Sequence, residues 1–245
     1  MTTVEDLEAI AQAYHVPGSA SDMFIERICQ EVELDWLVGR FGADQAVLEM
    51  GYGDGVTFDR LCLHERYTVL EGSPSLASRA RQHAANRGSS AQIVETLFED
   101  FLPEVKFDWI YASHVLEHVD DPAGTLALLA RWLKPRSGHV VITVPNAESI
   151  HRRVGVAMGL HGNLDDLSAR DLTVGHQRVY SLGSLTQMLE FAGWQISEVQ
   201  GFFLKPLSNA QLVDSGEEAI RALCEVSLEL PPEICANLTV IARPR

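Results

Sequence analysis

Val47-Leu48-Glu49-Met50-Gly51-Tyr52-Gly53-Asp54-Gly55 is the stretch on which the fold turns: a short apolar run ends on a carboxylate and passes directly into three alternating glycines. A brief apolar run without polar alternation suits a strand buried on both faces. Glycines placed just after it let the backbone turn tightly and come close to a ligand. The spacing is G-x-G-x-G. It is not the dinucleotide fingerprint, because Val56 stands where the third glycine would be, and it is not a phosphate loop, because no Gly-Lys-Ser/Thr follows. Further along, Tyr67-Thr68-Val69-Leu70 is a second strand that ends at Glu71, 20 residues after Gly51. A carboxylate in that place can accept hydrogen bonds from both ribose hydroxyls. Loop and carboxylate together predict a nucleoside ligand with little demand for a phosphate site.

The same rhythm runs outward from this pair. Residues 75–86 read as a helix, Ala91 to Val94 as a third strand and Phe107 to Ala112 as a fourth. A helix follows with Pro122 in its first turn and Pro135 just past its end, and His139 to Val144 is a fifth strand. Strands alternating with helices predict an α/β fold, a Rossmann-like, mostly parallel seven-stranded sheet with helices on both faces. Helices at 3–14 and 21–40 form an N-terminal helical cap over residues 1–44, ahead of a main domain at 45–245. Residues 146–178 interrupt the alternation with four glycines and with His151, His161 and His176, and read as an insertion at the mouth of the sheet. Beyond it come a helix at 182–192, a strand from Trp194 to Leu204, a helix at 208–229 and a last strand from Ala236 to Ala242.

Composition narrows the partners. The 245 residues are 46% hydrophobic and carry a formal net charge of −15, with 34 acidic and 19 basic side chains. Such a surface repels phosphate backbones, so nucleic acid is not an expected partner, and small molecules are. The four cysteines form no C-x-x-C pair, which suits free thiols in a reducing compartment. The acidic N-terminus lacks the flank and core of a signal peptide, and no run approaches 18 apolar residues, so a cytoplasmic protein without a membrane span is expected. A homodimer is allowed, and no metal is assigned.

At this point the sequence resembles the class I S-adenosylmethionine-dependent methyltransferases. The resemblance is carried by Glu49 to Gly55, by Val69-Leu70-Glu71 and by Phe107-Asp108-Trp109-Ile110-Tyr111-Ala112-Ser113-His114-Val115-Leu116-Glu117-His118-Val119. Leu133-Lys134-Pro135 and Gly138 to Asn146 continue it in order. It covers residues 45–200 and points to the branch acting on sugars, quinones and natural products, in which a segment like Gly175-His176-Gln177-Arg178-Val179-Tyr180-Ser181 also recurs. By that resemblance Glu49, Gly51 and Gly53 hold the methionine end of S-adenosyl-L-methionine. Glu71 takes the ribose hydroxyls, with Gly72 and Ser73 beside the adenine. Leu97, Phe98 and Glu99 flank the ring, and Ser113 and His114 lie under the sulfonium. Relatives often carry an aspartate near position 97 for the adenine amino group. Leu97 departs from that pattern and leaves the contact to backbone atoms or to Glu99.

The histidines admit several chemistries. Methyl transfer is an in-line displacement from an activated sulfonium, so alignment supplies much of the acceleration. A hydroxyl acceptor also gains from a base, for which His114 and His176 are the candidates. His118, Arg178, Tyr180 and, from the N-terminal helix, Tyr14 are candidates for contact with the acceptor. O-methylation of a sugar or secondary metabolite is the leading expectation and N-methylation of an amine the alternative. His114-Val115-Leu116-Glu117-His118 is formally H-x-x-E-H, which on a helix would be a zinc hydrolase signature lacking an identifiable third ligand. A protein that binds the cofactor without turnover is the remaining rival.

Overall fold

The computed structural model describes residues 3–14 and 23–245. Its centre is a seven-stranded sheet of β1 (Val47–Met50), β2 (Tyr67–Glu71), β3 (Gln92–Glu95), β4 (Trp109–Ser113), β5 (His139–Pro145), β6 (Trp194–Phe202) and β7 (Asn237–Pro244). The order across the sheet is β3-β2-β1-β4-β5-β7-β6. The first five strands are parallel, and β7 runs antiparallel between β5 and β6. Being reversed twice, β6 points the same way as β5, so the segment after it emerges at the same carboxyl edge.

Alternation along the buried strands sorts their side chains to two faces. Leu48, Met50, Leu70, Ile110, Ala112, Val140 and Ile142 pack with α5 (Pro122–Trp132) and α8 (Leu182–Phe191). Val47, Val69, Trp109, Tyr111 and Val141 pack on the other face with α2 (Met23–Leu37), α3 (Val56–Leu61) and α4 (Pro74–Arg87). The inner stripe of α2 (Ile25, Ile28, Cys29 and Val32) joins Phe202, Phe203 and residues of α10 (Gly216–Ser227) in a third cluster. Two polar caps start the site-forming helices where the sequence places a proline next in line. Ser73 Oγ accepts from Leu76 N ahead of Pro74, and the Asp121 side chain accepts from Gly124 N ahead of Pro122.

Three expected elements are cut differently. The helix at 208–229 is two, α9 (Asn209–Leu212) and α10, parted by a 3₁₀ turn at Val213–Ser215 and by Gly216 at φ +80°. The helix at 21–40 is α2 followed by a 3₁₀ turn at Val38–Arg40. The strand ending at Leu204 stops at Phe202, because Phe203 takes φ +66°, outside the extended region. The remaining helices are α1 (Val4–Tyr14) at the amino end, and α6 (Ile150–Ala157) and α7 (Ala169–Thr173) within 146–178.

Candidate active site

The carboxyl ends of β1 and β2 form one half of the site. Gly51 and Gly53 take φ +81° and +55°, and an added Cβ at either would meet nothing within 4 Å. The turn therefore leaves open space beside its backbone, where a ligand can lie against the chain. Glu71 faces that turn and is almost fully buried. Its Oε2 accepts from Tyr52 N at 2.8 Å and its Oε1 from Ser73 N at 2.7 Å. Burial pushes its carboxyl up, while these backbone donors pull the other way. Each oxygen keeps a lone pair, so an oriented carboxylate is ready to accept from a ribose.

Glu49 sits deeper, 3% exposed, with the Tyr67 hydroxyl donating to it, and burial raises its pKa to about 8. Around Gly72 the space is tight and apolar. Leu7 of α1 and Leu97 crowd the position a Cβ would take, at 2.6 and 3.3 Å. The Ser73 hydroxyl donates to Glu8 of α1 at 2.7 Å. Phe98 opens a 3₁₀ turn against the core, and Glu99 beside it is exposed.

The other half follows β4. Ser113 ends the strand with its hydroxyl buried and unpartnered, and His114 takes φ +54°. Residues 114–118 form turns rather than a helix. The two histidines therefore do not share a helical face, which the zinc hydrolase signature requires. His114 Nδ1 lies 2.9 Å from Oε1 of the fully buried Glu117. Burial works against the imidazolium, but the Glu117 hydrogen bond and charge prevail and raise His114 to about 9. The ring is 37% exposed, so water screens part of that attraction. Burial likewise opposes the Glu117 carboxylate, and His114 holds its pKa below the usual value.

The 146–178 segment closes on this loop. His176 Nδ1 lies 2.9 Å from Asp171 Oδ1, and its Nε2 is 4.0 Å from Glu117 Oε1. His118 Nδ1 meets Gly175 O at 3.2 Å, and burial lowers its pKa. Glu117, His118 and His176 each offer one ligand atom within 4.8 Å of the others, near enough to share a cation. Arg178 donates to the carbonyls of Leu116 and Val119, and the Tyr180 hydroxyl to Leu116 O at 3.1 Å. These two side chains bind the post-β4 loop to the segment before α8. Arg152, itself buried, clamps the segment through Asp171 at 2.7 Å and through the Asp166 and Leu164 carbonyls. Tyr14 ends α1, and its side chain lies outside the described residues.

Two further acids belong to this region. Glu33 of α2 is buried against the central strands β4 and β5 and takes hydrogen bonds from Tyr111 at 3.2 Å and Thr143 at 2.5 Å. A glutamate between Val32 and Leu34, on the apolar stripe of a helix, is the sequence signal for it. Asp171 is signalled only by Ser168, three residues earlier, with which it forms a capping box.

A mostly parallel sheet with a glycine turn after β1, a buried carboxylate ending β2 and an antiparallel β7 is the architecture of the S-adenosylmethionine-dependent methyltransferases. A family model described as a methyltransferase domain matches residues 20–199, and the chain belongs to that family. It is an S-adenosylmethionine-dependent enzyme. Among curated relatives, a ubiquinone biosynthesis O-methyltransferase of Xylella fastidiosa is 27% identical over 82% of this chain and 81% of its own length. One of Aeromonas salmonicida is 25% identical over 73% and 75%. A solved S-adenosylmethionine-dependent methyltransferase of Mesorhizobium loti superposes with a TM-score of 0.58 at 18% identity, covering 86% of this chain and 97% of its own. A glycopeptide N-methyltransferase solved with S-adenosyl-L-methionine gives 0.56 at 17%, over 88% and 87%. These structures share the fold with this chain. No described helix is long and apolar enough to cross a membrane.

Proposed function

We propose that the protein transfers the methyl group of S-adenosyl-L-methionine to an oxygen of a small molecule, a sugar or secondary metabolite. The open turn at Gly51 and Gly53 and the oriented Glu71 fit the amino acid and ribose of that cofactor, with Glu49 behind the turn. Leu97 and Gly72 flank the adenine, and backbone atoms or Glu99 serve its amino group in place of the missing aspartate. When bound, the cofactor supplies a methyl carbon already activated by positive sulfur. This chain's own residues then need only align the acceptor oxygen and manage its proton.

The observation that carries the reading is the Asp171–His176–Glu117 arrangement at the carboxyl end of β4. Asp171 fixes Nδ1 of His176 as the protonated nitrogen and turns Nε2 toward the loop, as an orienting carboxylate does for a general base. His176 is therefore the base. His114, held as an imidazolium by Glu117, favours negative charge growing on the acceptor oxygen. The two curated relatives are O-methyltransferases, which supports oxygen over nitrogen as the methylated atom. His176→Ala should lower turnover by about 10²-fold while leaving the dissociation constant for S-adenosylhomocysteine unchanged by calorimetry. A full-rate variant removes His176 as the base. Product mass spectrometry with hydroxyl and amine acceptors in parallel separates the O-methyl from the N-methyl reading.

A further inference from the structure

Gly51, Gly53 and Gly55 all take positive φ, so the turn after β1 is built largely from residues with wide backbone freedom. Such a turn keeps one shape only if other groups fix it. Two side chains belong to it, those of Tyr52 and Asp54. Asp54 Oδ1 accepts from Val56 N at 3.3 Å, two residues on. Tyr52, only 5% exposed, is tied at three points. Its N–H donates to Glu71 Oε2 at 2.8 Å, its carbonyl accepts from Gly55 N at 3.0 Å, and its hydroxyl meets His83 Nδ1 of α4 at 2.8 Å. The phenol lies over Gly55, where an added Cβ would stand 2.6 Å from its oxygen. The ring edge packs on Phe58 of α3, with centroids 6.0 Å apart.

His83 carries the connection onward. Its Nε2 lies 3.1 Å from Asp59 Oδ1 of α3, and Arg87 of α4 approaches the same oxygen at 3.4 Å. A carboxylate can only accept, so Asp59 selects the tautomer with the proton on Nε2. Nδ1 is then an acceptor, and the Tyr52 hydroxyl donates to it. The His83 ring also packs on Phe58, centroids 4.7 Å apart, which limits its rotation. Asp59, His83, Tyr52 and Glu71 thus form one hydrogen-bonded series from α3 through α4 and the glycine turn to the carboxylate that ends β2. Asp59 and His83 act on the turn only through Tyr52, whose main chain orients Glu71.

We propose that Tyr52, His83 and Asp59 are positioning residues for S-adenosyl-L-methionine, holding the glycine turn and Glu71 in place before the cofactor arrives. This rests on the methyltransferase reading above and adds the side chains that preorganise its cofactor site. Order fixed in advance lowers the cost of binding. The test is calorimetric titration of the full chain with S-adenosylhomocysteine. Tyr52→Phe and His83→Leu should each weaken binding by about three- to tenfold, the scale of one neutral hydrogen bond. The double variant should bind no more weakly than either single one, because both break the same bond. His83→Asn keeps an acceptor near the place of Nδ1 and should bind within about twofold of the wild type, a rescue that packing alone would not give. Nitrogen NMR shifts of the wild-type ring at alkaline pH should show the proton on Nε2 and none on Nδ1. Unchanged binding in both single variants, losses that add in the double variant, an asparagine variant as weak as the leucine one, or a proton on Nδ1 would each overturn the proposal. Failure of the wild-type chain to bind S-adenosylhomocysteine would instead sink the methyltransferase reading beneath it.

Discussion

The two halves of the site are built by opposite means. In the half proposed for the cofactor, Glu71 is oriented by Tyr52 N and Ser73 N, backbone donors that lie in the turn after the neighbouring strand and in its own β2–α4 turn. In the half proposed for the acceptor, the corresponding work falls to side chains from remote segments. Asp171 joins Arg152 to His176, and Arg178 and Tyr180 hold the carbonyls after β4. The first half leaves open space beside glycine; the second leaves buried polar atoms unpaired. A half made from backbone suits a ligand that the whole family shares. A half made from side chains can be altered one residue at a time, which is how one fold serves many acceptors.

If that contrast is right, damage to the acceptor half should cost stability as well as activity. Asp171→Ala strands the buried Arg152 guanidinium and should cost about 3–5 kcal/mol, the usual effect of breaking a buried pair. Its partners hold the Asp171 carboxyl below the ordinary value of 3.8. The stabilisation is therefore present above that pH and lost as the pH falls below it. Urea melts of both proteins should accordingly differ at pH 7 and converge in acid. A difference that does not depend on pH would mean that packing, rather than charge, holds the segment.

Glu49 tests the opposite sign in the cofactor half. Its pKa is raised from 4.5 to about 8, so the folded protein holds a proton that the unfolded chain releases between those values. Wild-type stability should fall as the pH rises through that window, by at most about 1.4 kcal/mol per unit. Glu49→Gln cannot ionise and should gain on the wild type across the same range. Parallel stability curves would place Glu49 in a wetter site than its burial implies.

The smallest effect sharpens the comparison most. Glu71→Ala should weaken cofactor binding by about 1–3 kcal/mol, the range for losing hydrogen bonds to a charged group. The acceptor KM should stay within about twofold, as expected for independent sites. A matching loss in acceptor binding would show that the two halves are coupled.

The glycine turn, the carboxylate after β2 and the alternation of strand with helix were all legible in the sequence, because each depends on residues close together in the chain. Buried strands announce themselves as apolar runs, and a positive φ asks for glycine. The break at Gly216 and the strand end at Phe203 were not legible, because a lone glycine in a helical pattern and an extended aromatic each fit two conformations. The histidines could be named from the sequence but not given roles. Which nitrogen is protonated, and which carboxylate sits beside it, depends on Asp171 and Glu117 arriving from separate segments. Ser149 and Asn209 look like ordinary surface residues until the chain closes over them. Short-range sterics and periodicity therefore fix the fold and the cofactor turn from sequence alone. The grouping of Asp171, His176 and Glu117 is decided only by the tertiary structure, because their contacts join segments far apart in the chain.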